Sequence, residues 1–213
     1  MNISTLAELE ELIQRTIGKR KPLVLDPPEF RHSAVLMPIF SEGDTIKFIL
    51  TKRAESLKHH KGEISFPGGG QEKEDKDLVE TALRETEEEV GVKREQIKVL
   101  GRIDDLFTIT RYIITPFVGI IYENVECCSN DAEVAELLYV PLDLFLSNEK
   151  FHEKSWIRNG TNYPLYYYFW KDYEIWGATA YIINQFIEIV FNFQPSKINF
   201  KRDDPSLIDD FLR

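Results

Sequence analysis

The stretch Phe66–Val92, FPGGGQEKEDKDLVETALRETEEEVGV, runs three consecutive glycines into a helical pattern crowded with glutamates. From Asp77 to Val90 the residues Val79, Ala82, Leu83, Thr86 and Val90 recur at spacings of three and four, the mark of one buried helical face. At about 100° per residue, Glu85, Glu88 and Glu89 gather on a second face. Like charges at that spacing cost about 0.2–0.5 kcal/mol per pair, and only Arg84 and Lys93 lie within a turn to offset them. Carboxylate oxygens suit a hard divalent cation, and Mg²⁺ is held through one or two carboxylates together with water and substrate phosphates.

A run of glutamates taken by itself reads as a solvated acidic face. The context changes that reading. Pro67-Gly68-Gly69-Gly70 can bring bare backbone close to a ligand or a carboxylate. Gly91 stands where a helix ends on a left-handed residue.

Arg84-Glu85-Thr86-Glu87-Glu88-Glu89-Val90-Gly91-Val92, with the glycines before it, resembles the Nudix box, G-x5-E-x7-R-E-U-x-E-E-x-G-U with U aliphatic. Two positions depart from the pattern. Counting back from Arg84, the first glutamate of the box is replaced by Lys76, flanked by Asp75 and Asp77, and the aliphatic residue after Arg-Glu is Thr86. In the family that first glutamate supports the helix, so its loss concerns a strut more than the chemistry.

Upstream, Ile49 to Gly69 (ILTKRAESLKHHKGEISFPGG) resembles the signature of the coenzyme A pyrophosphatase branch of Nudix hydrolases, L-L-T-x-R-[SA]-x3-R-x3-G-x3-F-P-G-G, in register throughout. Ile49 replaces the first leucine and Lys58 the second arginine. The stretch gathers Lys52, Arg53, Lys58 and Lys61 beside the acidic helix, cations that a substrate with several phosphates requires. Lysine at position 58 keeps the charge and loses the two-pronged grip of a guanidinium. The adjacent His59 and His60 read as a solvent-facing loop and are given no catalytic role. Ile175-Trp176-Gly177-Ala178-Thr179-Ala180 is similar to a helix start common in the same branch, and reads equally well as a tight packing point.

The chain has 213 residues, 43% of them hydrophobic, which fits a soluble globular protein of one domain by length. A net charge of −10 argues against a protein whose main business is gripping a nucleic-acid backbone. Its two cysteines, Cys127 and Cys128, are adjacent, so no disulfide framework is in view. The start of the chain is acidic and amphipathic rather than basic and apolar, and no segment is apolar enough to span a bilayer, so the expected location is the cytoplasm, without a membrane partner.

Periodicity predicts a helix carrying Leu6, Leu9, Leu12 and Ile13 with Ser4 or Thr5 as its cap, followed by a connector through Asp26-Pro27-Pro28. Strands are expected at Ser33–Phe40 and Thr45–Lys52, joined as a hairpin, and at Ile97–Ile103, Tyr112–Tyr122 and Val134–Val140. A short helix starts at Pro141, a second hairpin joins Lys154–Ile157 to Tyr163–Trp170 through Asn159-Gly160, and a buried helix runs from Trp176 to about Phe193. The expected organisation is an N-terminal helix and connector over 1–30, a Nudix domain over 31–193 and a partly ordered polar tail over 194–213. Strands interleaved with helices suggest an α/β fold, a three-layer α/β/α sandwich around a mixed central sheet, and the Nudix resemblance implies the same.

The resemblance also implies the chemistry: metal-dependent hydrolysis of the pyrophosphate linkage of coenzyme A or a derivative, giving adenosine 3′,5′-bisphosphate and the 4′-phosphopantetheine part. Glu85, Glu88 and Glu89 are then the metal-binding set for Mg²⁺ or Mn²⁺, with Glu85 also a candidate general base and Arg84 orienting carboxylates. Arg53, Lys58, Gly68 and Gly69 are the expected substrate-binding residues. Glu133 and Glu136 are the candidates for a further acid outside the box, and Glu133 is preferred. The expected partner is a small nucleotide substrate, and a homodimer is compatible with such a chain. The alternatives are hydrolysis of another nucleoside diphosphate derivative, such as ADP-ribose or a dinucleotide, and a non-catalytic Nudix-fold binding module. The glutamate trio weighs against the last, because a module that only binds has no use for a costly patch of like charge.

Overall fold

A computed structural model describes residues 3–56, 60–122, 127, 130, 132–198, 200 and 207–208. Helix α1, Leu6–Ile17, begins at Thr5, whose hydroxyl accepts the Glu8 N–H while the Glu8 carboxylate reaches back to the Thr5 N–H. Strands β1, Arg31–Glu42, and β2, Thr45–Arg53, form the expected hairpin, with Glu42 opposite Thr45. Short strands β3, Ile64–Ser65, and β4, Gly68–Gly70, lead into helix α2, Leu78–Val90. Asp77 caps α2 by accepting the Glu80 N–H at 2.9 Å, and Gly91 closes it at φ 76°, where a side chain would be strained.

Strands β5, Ile97–Arg102, β6, Leu106–Phe107, β7, Tyr112–Ile121, and β8, Val134–Pro141, follow. After a 3₁₀ turn over Leu142–Leu146 come β9, Phe151–Arg158, β10, Thr161–Trp170, β11, Tyr173–Trp176, and helix α3, Gly177–Phe191.

The central sheet has eight strands and the order β3-β2-β1-β7-β5, with β4 on β1, β6 on β7 and β8 on β2. It is mixed: β1 runs parallel to β7, and β2 is antiparallel to both β1 and β8. Alternation along β1 sends Met37 and Ile39 into a core shared with Leu9 and Ile13 of α1 and Ile183, Phe186 and Ile187 of α3. Ala34 and Leu36 enter a second core with Ala82 and Val90 of α2. The result is the α/β/α sandwich, with α2 on one side of the sheet and α1 and α3 on the other.

Three features differ from the periodicity. The second hairpin gains β11 and becomes a separate three-stranded sheet of order β11-β10-β9, because Tyr166 and Tyr168 turn inward to the α3 core. The glycine turn is itself a strand, since its bare backbone pairs with Ser33, Ala34 and Val35. The C-terminal stretch is less polar in its role than in its composition: Ile208 is buried with Leu25, Phe30 and Ile113, and Ser196 donates to Glu153 at 2.7 Å. Among the described residues no helix is long and apolar enough to cross a membrane.

Candidate active site

Strand β4 lies so close to β1 that a Cβ at Gly68 would fall 2.3 Å from the Ala34 carbonyl oxygen and 2.7 Å from Val35 Cα. A Cβ at Gly69 would fall 2.4 Å from Glu85 Oε1. The glycines therefore do two jobs: Gly68 lets two backbones meet, and Gly69 makes room for the Glu85 carboxylate.

Glu85, Glu88 and Glu89 leave α2 on one side, as the helical spacing requires, and each meets a different environment. Arg84 Nη1 donates to Glu85 Oε1 at 2.9 Å and to Glu88 Oε2 at 3.2 Å. Glu88 is largely open to solvent. Glu85 is half-buried, and burial raises its pKa, opposed by Arg84 and reinforced by the charges of Glu88 and Glu133. Glu89 is only 3% exposed. Burial, then the charge of Glu85, pushes its pKa up to about 7, against the opposing pull of Arg53 and the Gly68 N–H. Its Oε2 is buried without a hydrogen-bond partner among the described residues.

The missing first glutamate has a replacement that spacing did not reveal. Asp75, not position 76, holds Arg84: its Oδ1 accepts Nε at 3.0 Å and its Oδ2 accepts Nη2 at 3.1 Å. The same carboxylate accepts the Glu72 N–H and the buried Thr81 hydroxyl, each at 2.9 Å. Arg84 foremost, with these further bonds, holds its pKa down to about 2. Lys76 is exposed and Asp77 is the helix cap.

The basic stretch divides. Arg53 reaches the helix, its Nη1 3.9 Å from Glu89 Oε1. Strand alternation turns Lys52 to the opposite face, where its ammonium sits over the Tyr173 ring at 5.5 Å. Lys61 is exposed, and His60 pairs with Glu63 at 2.8 Å in an exposed turn. Lys58 and His59 lie outside the described residues.

Glu133 is placed by a turn anchored at both ends of the site: its carbonyl accepts the Ala54 N–H at 2.9 Å, and the Asn130 N–H reaches the Glu89 carbonyl at 3.4 Å. Its charge acts on both Glu85 and Glu89. Glu136 is elsewhere, with the Tyr173 hydroxyl on its two oxygens at 2.8 and 2.7 Å. Thr179, at the start of α3, donates to the Ile64 carbonyl at 2.9 Å and is buried, so it serves as a packing point joining α3 to β3.

The NUDIX domain matches this chain over residues 30–159. A Nudix hydrolase NudL of Photorhabdus laumondii, described as uncharacterized, is 39% identical over 160 residues, 75% of this chain and 85% of that one. The chain belongs to the Nudix family. A second uncharacterized Nudix hydrolase NudL, from Yersinia pestis, is 38% identical over 75% of this chain and 80% of its own. A MutT/nudix family protein from Enterococcus faecalis superposes with a TM-score of 0.47 at 15% identity, covering 90% of this chain and 74% of that one.

Nudix hydrolases use divalent metal ions. The donor set of this Nudix helix fits one in its chemistry: all-oxygen ligands, net negative charge, and a buried carboxylate oxygen of Glu89 with no hydrogen-bond partner among the described residues. Among the described residues no three acidic, imidazole or thiol groups already enclose a single point.

Proposed function

We propose that this Nudix hydrolase cleaves the pyrophosphate linkage of coenzyme A or a derivative, releasing adenosine 3′,5′-bisphosphate and (acyl-)4′-phosphopantetheine. The observation that carries the reading is the upstream stretch Ile49–Gly69, which keeps the register of the coenzyme A signature and whose Arg53 stands against Glu89. Glu85, Glu88 and Glu89 hold Mg²⁺ or Mn²⁺. When bound, the cation supplies charge neutralisation on the phosphoryl oxygens and acidifies a water.

The chain's own residues do the rest. Glu85, half-buried against Gly69, takes the proton of the attacking water. Arg84 sets the direction of Glu85 and Glu88 rather than touching substrate. Arg53 and Lys58 bind phosphate oxygens, and the bare backbone of Gly68 and Gly69 lies beside the substrate, with Gly69 leaving room for the Glu85 carboxylate. Glu133 adds negative charge beside the water-activating carboxylates, which strengthens them as proton acceptors.

A substrate panel tests this. The purified chain with Mg²⁺ is given coenzyme A, dephospho-coenzyme A and ADP-ribose, and products are identified by mass. Adenosine 3′,5′-bisphosphate from coenzyme A, formed faster than products from the other two, is expected. ADP-ribose turned over much faster than coenzyme A would replace this substrate with another nucleoside diphosphate derivative.

A further inference from the structure

We infer that Asp75 is a positioning residue for the catalytic carboxylates: by occupying two nitrogens of Arg84 it leaves only one for Glu85 and Glu88, and so keeps those carboxylates open to a cation. This rests on the reading of Glu85, Glu88 and Glu89 as the metal-binding set.

The geometry is that of a divided guanidinium. Arginine offers five N–H donors in a rigid fork. Asp75 takes Nε and one Nη2 donor, the Gly70 carbonyl accepts from Nη2 at 3.3 Å, and Nη1 alone serves both Glu85 and Glu88. Asp75 is fixed for this task. Its side chain is 3% exposed, and it is gripped by the Glu72 N–H and the Thr81 hydroxyl.

Without the Asp75 carboxylate, Nε loses its partner and Nη2 keeps only the Gly70 carbonyl, in a part-buried place where an unsatisfied donor is costly. The guanidinium then gains by turning a two-nitrogen edge to Glu85 or Glu88, the bidentate pairing that arginine and carboxylate favour. Those are the same oxygens a dication needs. Loss of the strut thus makes Arg84 a competitor of the metal. A glutamate at position 76 is unnecessary here because the loop presents Asp75 inward and Lys76 outward.

Direct titration of the full chain with Mn²⁺ by calorimetry, without substrate, tests the inference. Asp75→Asn is expected to raise the Mn²⁺ Kd by about 10–100-fold, the usual consequence of losing a group that orients a ligand. Asp77→Ala, which uncaps the same helix and touches none of Arg84, Glu85, Glu88 and Glu89, is expected to lower Tm with the Kd unchanged. If Asp75→Asn does not fold, Thr81→Val removes one of the groups holding the Asp75 carboxylate and is expected to raise the Kd several-fold. An unchanged Kd in the folded Asp75 variant, or in Thr81→Val when that variant stands in for it, would overturn the inference. So would an equal rise in Asp77→Ala, which would reduce Asp75 to a general stabiliser of α2. A wild-type chain that bound no Mn²⁺ would overturn the metal site, and this inference with it; binding by wild type and equally by Asp75→Asn would overturn the inference alone.

Discussion

The guanidinium of Arg53 stands 3.9 Å from the carboxylate of Glu89 and thereby joins the basic upstream stretch to the acidic helix. Because Glu89 is buried, Arg53, together with the Gly68 N–H, offsets the cost of its charge. Arg53→Gln is expected to lower kcat/KM for coenzyme A about tenfold or more, a loss of ~1.4 kcal/mol, with kcat and KM both affected. If Lys58 binds phosphate as proposed, Lys58→Gln is expected to raise KM alone, and wild-type KM to climb with added salt, which screens such a charge pair. Steady-state kinetics at two ionic strengths separates the two residues.

The neighbouring glycines should fail in different ways. Gly68→Ala drives a Cβ into the backbone of Ala34 and Val35 at a φ of +156°, and neither neighbour can yield cheaply. A destabilisation at or above the ~1–3 kcal/mol typical of overpacking is expected. Gly69→Ala meets only the end of the Glu85 side chain. It should cost little stability and most of the activity, which thermal unfolding and an assay on the same samples would reveal.

Acid unfolding should report Asp75. Its carboxyl is depressed to about 2 in the folded chain from 3.8, so the folded state holds fewer protons than the unfolded between those values. The stability this contributes is fully present above pH 3.8 and is lost as pH falls toward 2. The stability gap between wild type and Asp75→Asn should therefore narrow over that window and be constant from pH 5 to 7. A gap unchanged down to pH 2 would remove the ion pair as its cause.

Much of this site was legible in the sequence. The three- and four-residue spacing of Val79, Ala82, Thr86 and Val90 placed α2 and its glutamate face, and Gly91 its end, because helix geometry maps spacing directly onto direction. Asp75 was not legible as the strut: it lies in a loop, where no period says which of Asp75, Lys76 and Asp77 turns inward. Lys52 and Arg53 are neighbours in sequence and look like one basic patch there, yet a strand sends them to opposite faces. The burial of Ile208 was equally hidden, since it depends on Leu25 and Phe30 at the other end of the chain.

Metal removal should be visible in stability. Chelator is expected to abolish turnover and to lower Tm relative to the Mg²⁺ form, since a ligand at about 100 times its Kd stabilises by about 2.7 kcal/mol. Differential scanning calorimetry with and without chelator measures it. Full turnover in chelator would rule out metal-dependent hydrolysis.

One face of α2 is proposed to carry the chemistry, and Glu89 and Glu87 divide that face from its neighbour. Glu89 is buried beside Arg53, whereas Glu87 looks away and meets Arg94 at 3.5 Å. The most direct measurement is kcat for coenzyme A hydrolysis under saturating Mg²⁺ in Glu89→Gln and Glu87→Gln, with circular dichroism confirming that both fold. The predicted result is a loss of about a hundredfold or more in Glu89→Gln, ~2.7 kcal/mol of transition-state stabilisation, and near wild-type turnover in Glu87→Gln. Equal activity in the two variants would contradict it.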